Sequence, residues 1–265
     1  MVTESIKLKK SDVTAKINPE NGQLYSLKRS EDEKKQVMWP GGAPEKEKHI
    51  DGWPNSEIIA FPIFGPTGGK ITYNGEEYPM GQHGLSRRLP WSQVKKTEYS
   101  ITFIQHYIAN EIAPDGSKFP VSFDIEKTYE IAKDGRLIFS VTVTNEGKER
   151  LSYALGWHPA FQGSGIVKYQ GSEYETREIY SEDKNVRKLI GVNSVVFEND
   201  SYILTLESNF HNTVLWVPQG NLIAIEPVSA MPIENTKNTD LLRADGYRGI
   251  DPHHSASYKV ILRIE

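Results

Sequence analysis

No stretch of roughly twelve or more residues in this chain keeps a 3.6-residue apolar period. Short runs of alternating apolar and polar residues follow one another from end to end instead, cut by turn-forming pairs. The clearest case is Asp134-Gly135. It separates Thr128–Glu130 from a run in which Leu137, Phe139, Val141 and Val143 alternate with Ile138, Ser140, Thr142 and Thr144. A tight turn at that place needs φ > 0, which Gly supplies without a steric penalty, so the segment predicts a hairpin. Asn74-Gly75 predicts a second one between Lys70–Tyr73 and Glu76–Tyr78. Ser100–Tyr107, Asn212–Val217, Leu222–Glu226 and Tyr258–Ile264 are further runs rich in β-branched and aromatic residues. The expectation is an all-β fold, a large antiparallel β-sandwich. No linker or internal repeat divides it, so a single domain over residues 1–265 is expected. Pro40-Gly41-Gly42 and Gly65-Pro66-Thr67-Gly68-Gly69 read as loops, and the charged stretch 30–35 as a solvated turn.

Composition narrows the function classes. The formal net charge is −4, with 31 basic against 35 acidic residues, which argues against nucleic acid or an anionic membrane as the main partner. There is no Cys, so disulfides, thiolate nucleophiles and Cys-ligated metal are excluded. The amino terminus has no apolar signal core, and no run reaches the length of a membrane span, so a cytoplasmic location is expected. The sequence leaves open whether the protein is a monomer or a homodimer.

Several motifs fail on inspection. Gly65–Ile71 looks like a phosphate loop but has one residue too few, and Ile71 stands where a Ser or Thr is required. Asn199-Asp200-Ser201 fits a glycosylation acceptor that a chain without a signal peptide does not present. The seven His residues form no H-x-H or H-E-x-x-H pattern, so no metal site is expected. His106 and His211 read as structural or surface residues.

Three segments join a titratable side chain to rigid or loop-forming neighbours: Gly81-Gln82-His83-Gly84-Leu85-Ser86-Arg87, Leu155-Gly156-Trp157-His158-Pro159-Ala160-Phe161, and Ile223-Ala224-Ile225-Glu226-Pro227. A carboxylate ending an apolar strand is costly unless it is paired or works in a cleft. Because proline cannot donate to a ladder, Glu226 is expected at a sheet margin. Each residue also has a plain reading: His83 as a turn residue, His158 as a core His against Trp157, and Glu226 as an ion-pair partner of Arg87 or Lys70.

Together these segments resemble the aldose 1-epimerases, or galactose mutarotases, in particular their LacX-like and hexose-6-phosphate mutarotase-like bacterial branch. The resemblance rests on Phe61-Pro62-Ile63-Phe64-Gly65, Tyr73-Asn74-Gly75 with Tyr78, Gln82-His83-Gly84-Leu85-Ser86-Arg87, Gly156-Trp157-His158-Pro159-Ala160-Phe161 and Ile225-Glu226-Pro227, in the family's order. It implies a β-supersandwich with a sugar on its open face and an enzyme that needs no cofactor. His158 then looks like the acid and Glu226 like the base, with His83 and Arg87 positioning the substrate. Trp157 and Phe161 would stack on the sugar's apolar face; their other reading is as core residues. The chain departs from the family pattern at Pro66, where many relatives carry Arg, and at Val228 and Ala230, where relatives often have Trp and Gly.

The implied chemistry is the exchange of α and β anomers of a hexose or hexose derivative. It needs one base and one acid across the anomeric centre, and neither metal nor nucleotide. On reference values a Glu is ionised at neutral pH, while a His acid needs its pKa raised by a nearby carboxylate. A non-catalytic sugar-binding protein on the same scaffold is the first alternative and a His-dependent metal enzyme of cupin type the second. A glycosidase fits less well, because it generally uses two carboxylates, whereas Glu57, Glu77 and Asp134 sit in turn-like or charged contexts.

Overall fold

A computed structural model describes residues 5–29, 36–43, 54–233 and 239–265. The charged stretch 30–35 lies outside them. Both expected hairpins form. Phe123–Ile131 and Leu137–Asn145 pair antiparallel around Gly135 at φ 82°. Gly69–Tyr73 and Glu76–Met80 pair around Asn74 and Gly75, both left-handed. Alternation does the rest: Leu137–Asn145 is buried at every second residue, which turns one face of its sheet toward a core.

Among the described residues that strand lies in a nine-stranded antiparallel sheet. Its order runs Ser172–Glu175, Ile166–Tyr169, Ser194–Glu198, Ile203–Ser208, Ser255–Ile264, Leu137–Asn145, Phe123–Ile131, Ser100–Tyr107, Ser92–Lys96. A five-stranded sheet packs against it, in the order Val186–Leu189, Asn212–Gln219, Leu222–Val228, Gly156–Gln162, Glu57–Ala60. One cluster joins the two sheets, with Phe139, Val141 and Val143 from the first and Trp157, Phe161, Leu215, Ile223 and Ile225 from the second. A smaller sheet, Ile6–Lys10, Val13–Ile17 and Leu24–Arg29, adds its apolar residues to the same core. No helix among the described residues is long and apolar enough to cross a membrane. The fold is the all-β antiparallel sandwich that the sequence pattern predicts.

The five-stranded sheet carries the site. Leu222–Val228 is buried at every position and Gly156–Gln162 at all but the last. Both faces of these strands are therefore covered, one by the core and the other beneath a cleft. Glu226 is not at a sheet margin as expected, because its strand runs through Pro227 to Val228 with neighbours on both sides. The missing proline donor is absorbed locally. Pairing with Gly156–Gln162 opens between Gly156↔Val228 and Ala160↔Ala224, while the other side stays in register through Thr213↔Pro227.

Candidate active site

Register explains which side chains meet. The pairs Gly156↔Val228 and Ala160↔Ala224 set His158 opposite Glu226 on neighbouring strands. The row continues to Ile58 on one side, and to Val214 and Lys188 on the other. His158 Nε2 lies 3.4 Å from Glu226 Oε2, and both side chains are almost completely buried. They sit on the floor of a cleft of about 1150 Å³, just above the roughly 300–1,000 Å³ usual for ligand sites. Phe64, Val214 and Trp216 share that floor; Pro66, Pro232 and Ile233 stand on one side and the segment Glu182–Lys188 on another.

His83 reaches the same place from a loop. The backbone N–H of Phe61 donates to the His83 carbonyl (3.1 Å) and the His83 N–H to the Gly65 carbonyl (3.0 Å), which straps the loop to the segment before it. Gly84 makes this possible: a Cβ there would lie 2.2 Å from the Phe61 carbonyl oxygen, and its φ is 75°. The His83 and His158 rings meet edge to face at 5.2 Å, and Phe64 touches both. Phe64 in turn needs Gly156, since a Cβ there would come within 2.3 Å of its ring.

The His83 tautomer follows from its partner. Its Nδ1 accepts the Gly65 N–H at 3.2 Å, so the ring proton of the neutral imidazole is on Nε2; the Gln82 side chain 3.1 Å from that nitrogen is its acceptor only with the amide oxygen turned to the ring. Burial lowers the pKa of His83 to about 3, and the Arg87 charge adds to this. His83 is thus a fixed neutral donor.

The acid–base pair departs from the sequence expectation in its resting charge. Burial pushes the Glu226 carboxyl well above the usual carboxylate range. Burial, then the neighbouring His83, then Arg87 further off push His158 well below the usual imidazole value. Burial thus pushes each of the two toward its neutral form.

Trp157 and Phe161 are corrected outright. Both are fully buried and neither lines the cleft. Trp157 stacks on Phe139 of the opposite sheet at 4.5 Å and donates its indole N–H to Glu57. The reason is strand alternation: residues one and three places from His158 must point to the other face. Glu57 is corrected with them. It is a fully buried strand residue that also takes the Tyr129 hydroxyl, the Leu24 N–H at 3.2 Å and the Lys127 ammonium at 3.5 Å. Arg87 is half-buried beside the Gln82 carbonyl (3.4 Å); it is close enough to bias both His residues but does not line the cleft. Sequence reading missed Trp216, whose ring meets that of His158 at 5.5 Å and 83°. Only the strand register could have found it.

This geometry can be set beside known proteins. Residues 4–201 match the family model for aldose 1-epimerase. The chain belongs to the aldose 1-epimerase family. No curated protein sequence matches it. Among solved structures it is similar to a galactose mutarotase-like protein from Lactobacillus casei ATCC 334, with TM-score 0.84, 20% identity and coverage of 99% of this chain and 100% of that one. A galactose mutarotase related enzyme from Lactobacillus acidophilus aligns at TM-score 0.77 and 18% identity over 99% and 97% of the two chains. A galactose 1-epimerase from Lactobacillus acidophilus NCFM aligns at TM-score 0.67 and 12% identity over 98% and 94%. At these identities the structural likeness speaks for the fold, and family membership supports a mutarotase-type function.

Proposed function

We propose that the protein is a mutarotase that interconverts the α and β anomers of a hexose or hexose derivative, with Glu226 and His158 moving the protons. One observation carries this reading: a carboxyl and an imidazole 3.4 Å apart on the floor of a cleft, each pushed by burial toward its neutral form. The reaction breaks the O1–H and C1–O5 bonds and makes C1=O1 and O5–H. Rotation about C1–C2 and the reverse steps then give the other anomer. One partner must accept the O1 proton while the other delivers one to the ring oxygen.

A pair holding a single proton meets that need in both of its states. With the proton on His158, Glu226 takes the O1 proton and His158 protonates O5; with the proton on Glu226, the roles exchange for a sugar that presents O1 to His158 and O5 to Glu226. Ring opening leaves the proton on the other member of the pair, and ring closure by the reverse transfers returns it, so the pair is restored after each turnover. Each positioned transfer group is typically worth about 10²–10⁴-fold. His83, fixed as an Nε2–H donor, supplies a hydrogen bond to a substrate oxygen and takes no proton itself. The partner is a small sugar.

The test is anomer exchange by NMR on D-glucose, D-galactose and their 6-phosphates, comparing wild type with buffer and with His158→Asn. Acceleration by wild type that collapses in the variant while folding is intact supports the proposal. Sugar binding with no acceleration on any of the four contradicts it and favours a non-catalytic sugar binder, the reading to which Pro66 on the cleft wall lends weight.

A further inference from the structure

We infer that Trp216 is the platform on which the sugar ring lies while its anomeric centre is held at Glu226 and His158. This rests on the sugar reading of the cleft given above and names which face of the sugar the site grips.

Trp216 is half-buried, lines the cleft, and sits two residues along its strand from Val214, the residue paired with Glu226. Trp216 and Glu226 thus share a face in adjacent rows, about 7 Å apart along the strand, the scale of one six-membered ring with its substituents. The row of Trp216 continues through Ala224 to Ala160. Two small residues let the indole reach across the intervening strand. It packs against the Ile58, Ala160 and Leu222 cluster and meets the His158 ring edge to face. The indole is therefore held in place before any ligand arrives, with part of its surface open to the cleft.

The chemistry around it is divided. Gln82, His83, His158 and Glu226 bring hydrogen-bonding groups to the cleft floor and Glu182, Lys184 and Lys188 to its wall, whereas Trp216, Val214 and Phe64 among them offer carbon. A pyranose has the matching division, with hydroxyls around its rim and C–H bonds on its faces. Laid on the indole, it buries a C–H face against a polarisable ring and turns its anomeric oxygens toward the acid–base pair. The ligand class is thus a pyranose with one face free of bulky axial groups. A platform of this kind holds ground state and transition state alike, so its loss raises KM and leaves kcat in place.

The experiment compares Trp216→Ala, Trp216→Phe and Trp216→Leu with wild type on D-glucose, D-galactose and their 6-phosphates. Affinity is read by ligand-observed NMR, exchange kinetics by NMR, and folding by thermal melting. Trp216→Phe is expected to keep affinity within about threefold and Trp216→Leu to lose about tenfold, with kcat within about twofold for both. Trp216→Ala should lose at least as much as Leu. A purely structural role would be filled equally by Leu and Phe, so equal affinity in those two overturns the platform, as does a fall in kcat at unchanged KM. Binding without exchange in wild type, with the Phe-over-Leu order kept, defeats the mutarotase reading alone. No binding of any of the four sugars to wild type overturns both.

Discussion

Glu57 and Glu226 are both fully buried carboxyls in one five-stranded sheet, on strands separated only by that of His158, yet they sit on opposite faces. Glu57 points to the core and is saturated by the Trp157 indole N–H, the Tyr129 hydroxyl, the Leu24 N–H and the Lys127 ammonium. Glu226 points to the cleft, with the His158 imidazole 3.4 Å away. Burial alone does not mark a functional carboxyl. The distinction lies in whether the protein itself meets the group's demand for partners, since a saturated group has nothing left for a ligand.

The largest contrast is expected in catalysis. Glu226→Gln keeps the shape of a neutral carboxyl, so folding should hold while anomer exchange falls about 10²–10⁴-fold, as measured by NMR on the folded variant. Glu57→Ala should do the reverse. It strands the Lys127 charge in the core and is expected to cost about 3–5 kcal/mol in denaturant unfolding. Adding Lys127→Met should recover part of that loss; no recovery would show that the ion pair is not what Glu57 holds. Acid adds a third effect, spread over several pH units. His83 binds fewer protons folded, with its pKa near 3, than unfolded at 6.5, so its contribution to stability is complete above pH 6.5 and is lost as pH falls toward 3. The slope is up to about 1.4 kcal/mol per pH unit for one proton. His158 acts in the same direction, while Glu226, with its raised pKa, contributes stability that is lost as pH rises. His83→Gln should flatten the acid side of a stability-versus-pH curve. Trp157→Phe keeps the stack on Phe139 and removes one donor to Glu57. Its expected cost is about 1–2 kcal/mol, with exchange per folded molecule unchanged. A larger loss of exchange than of stability would return Trp157 to the site.

Much of this architecture was legible from local chemistry. Asp134-Gly135 and Asn74-Gly75 mark hairpins because the backbone there needs φ > 0, a demand that a few adjacent residues can express. His83, His158 and Glu226 were legible as a resemblance, and the strand register shows why His158 and Glu226 meet. What failed was reasoning by proximity in sequence. Trp157 and Phe161 flank His158 along the chain, but a strand sends odd neighbours to the opposite face, and the same rule places Glu57 in the core. Pro227 read as a strand end, because one residue cannot reveal that the sheet continues around it on its other side. Trp216 carried no local mark at all. Its place beside His158 depends on how its own hairpin, Asn212–Gln219 with Leu222–Val228, pairs with Gly156–Gln162 far earlier in the sequence, and a single chain does not display that register before it folds.

The most direct measurement is the anomer-exchange rate per folded molecule of Glu226→Gln beside that of Glu57→Gln, on the sugar that wild type turns over fastest. The account predicts that Glu57→Gln, though less stable, exchanges at close to the wild-type rate once normalised to its folded fraction, while Glu226→Gln is at least about 100-fold slower. A Glu226→Gln protein that exchanges as fast as wild type, or a Glu57→Gln protein that loses as much as Glu226→Gln, would contradict it.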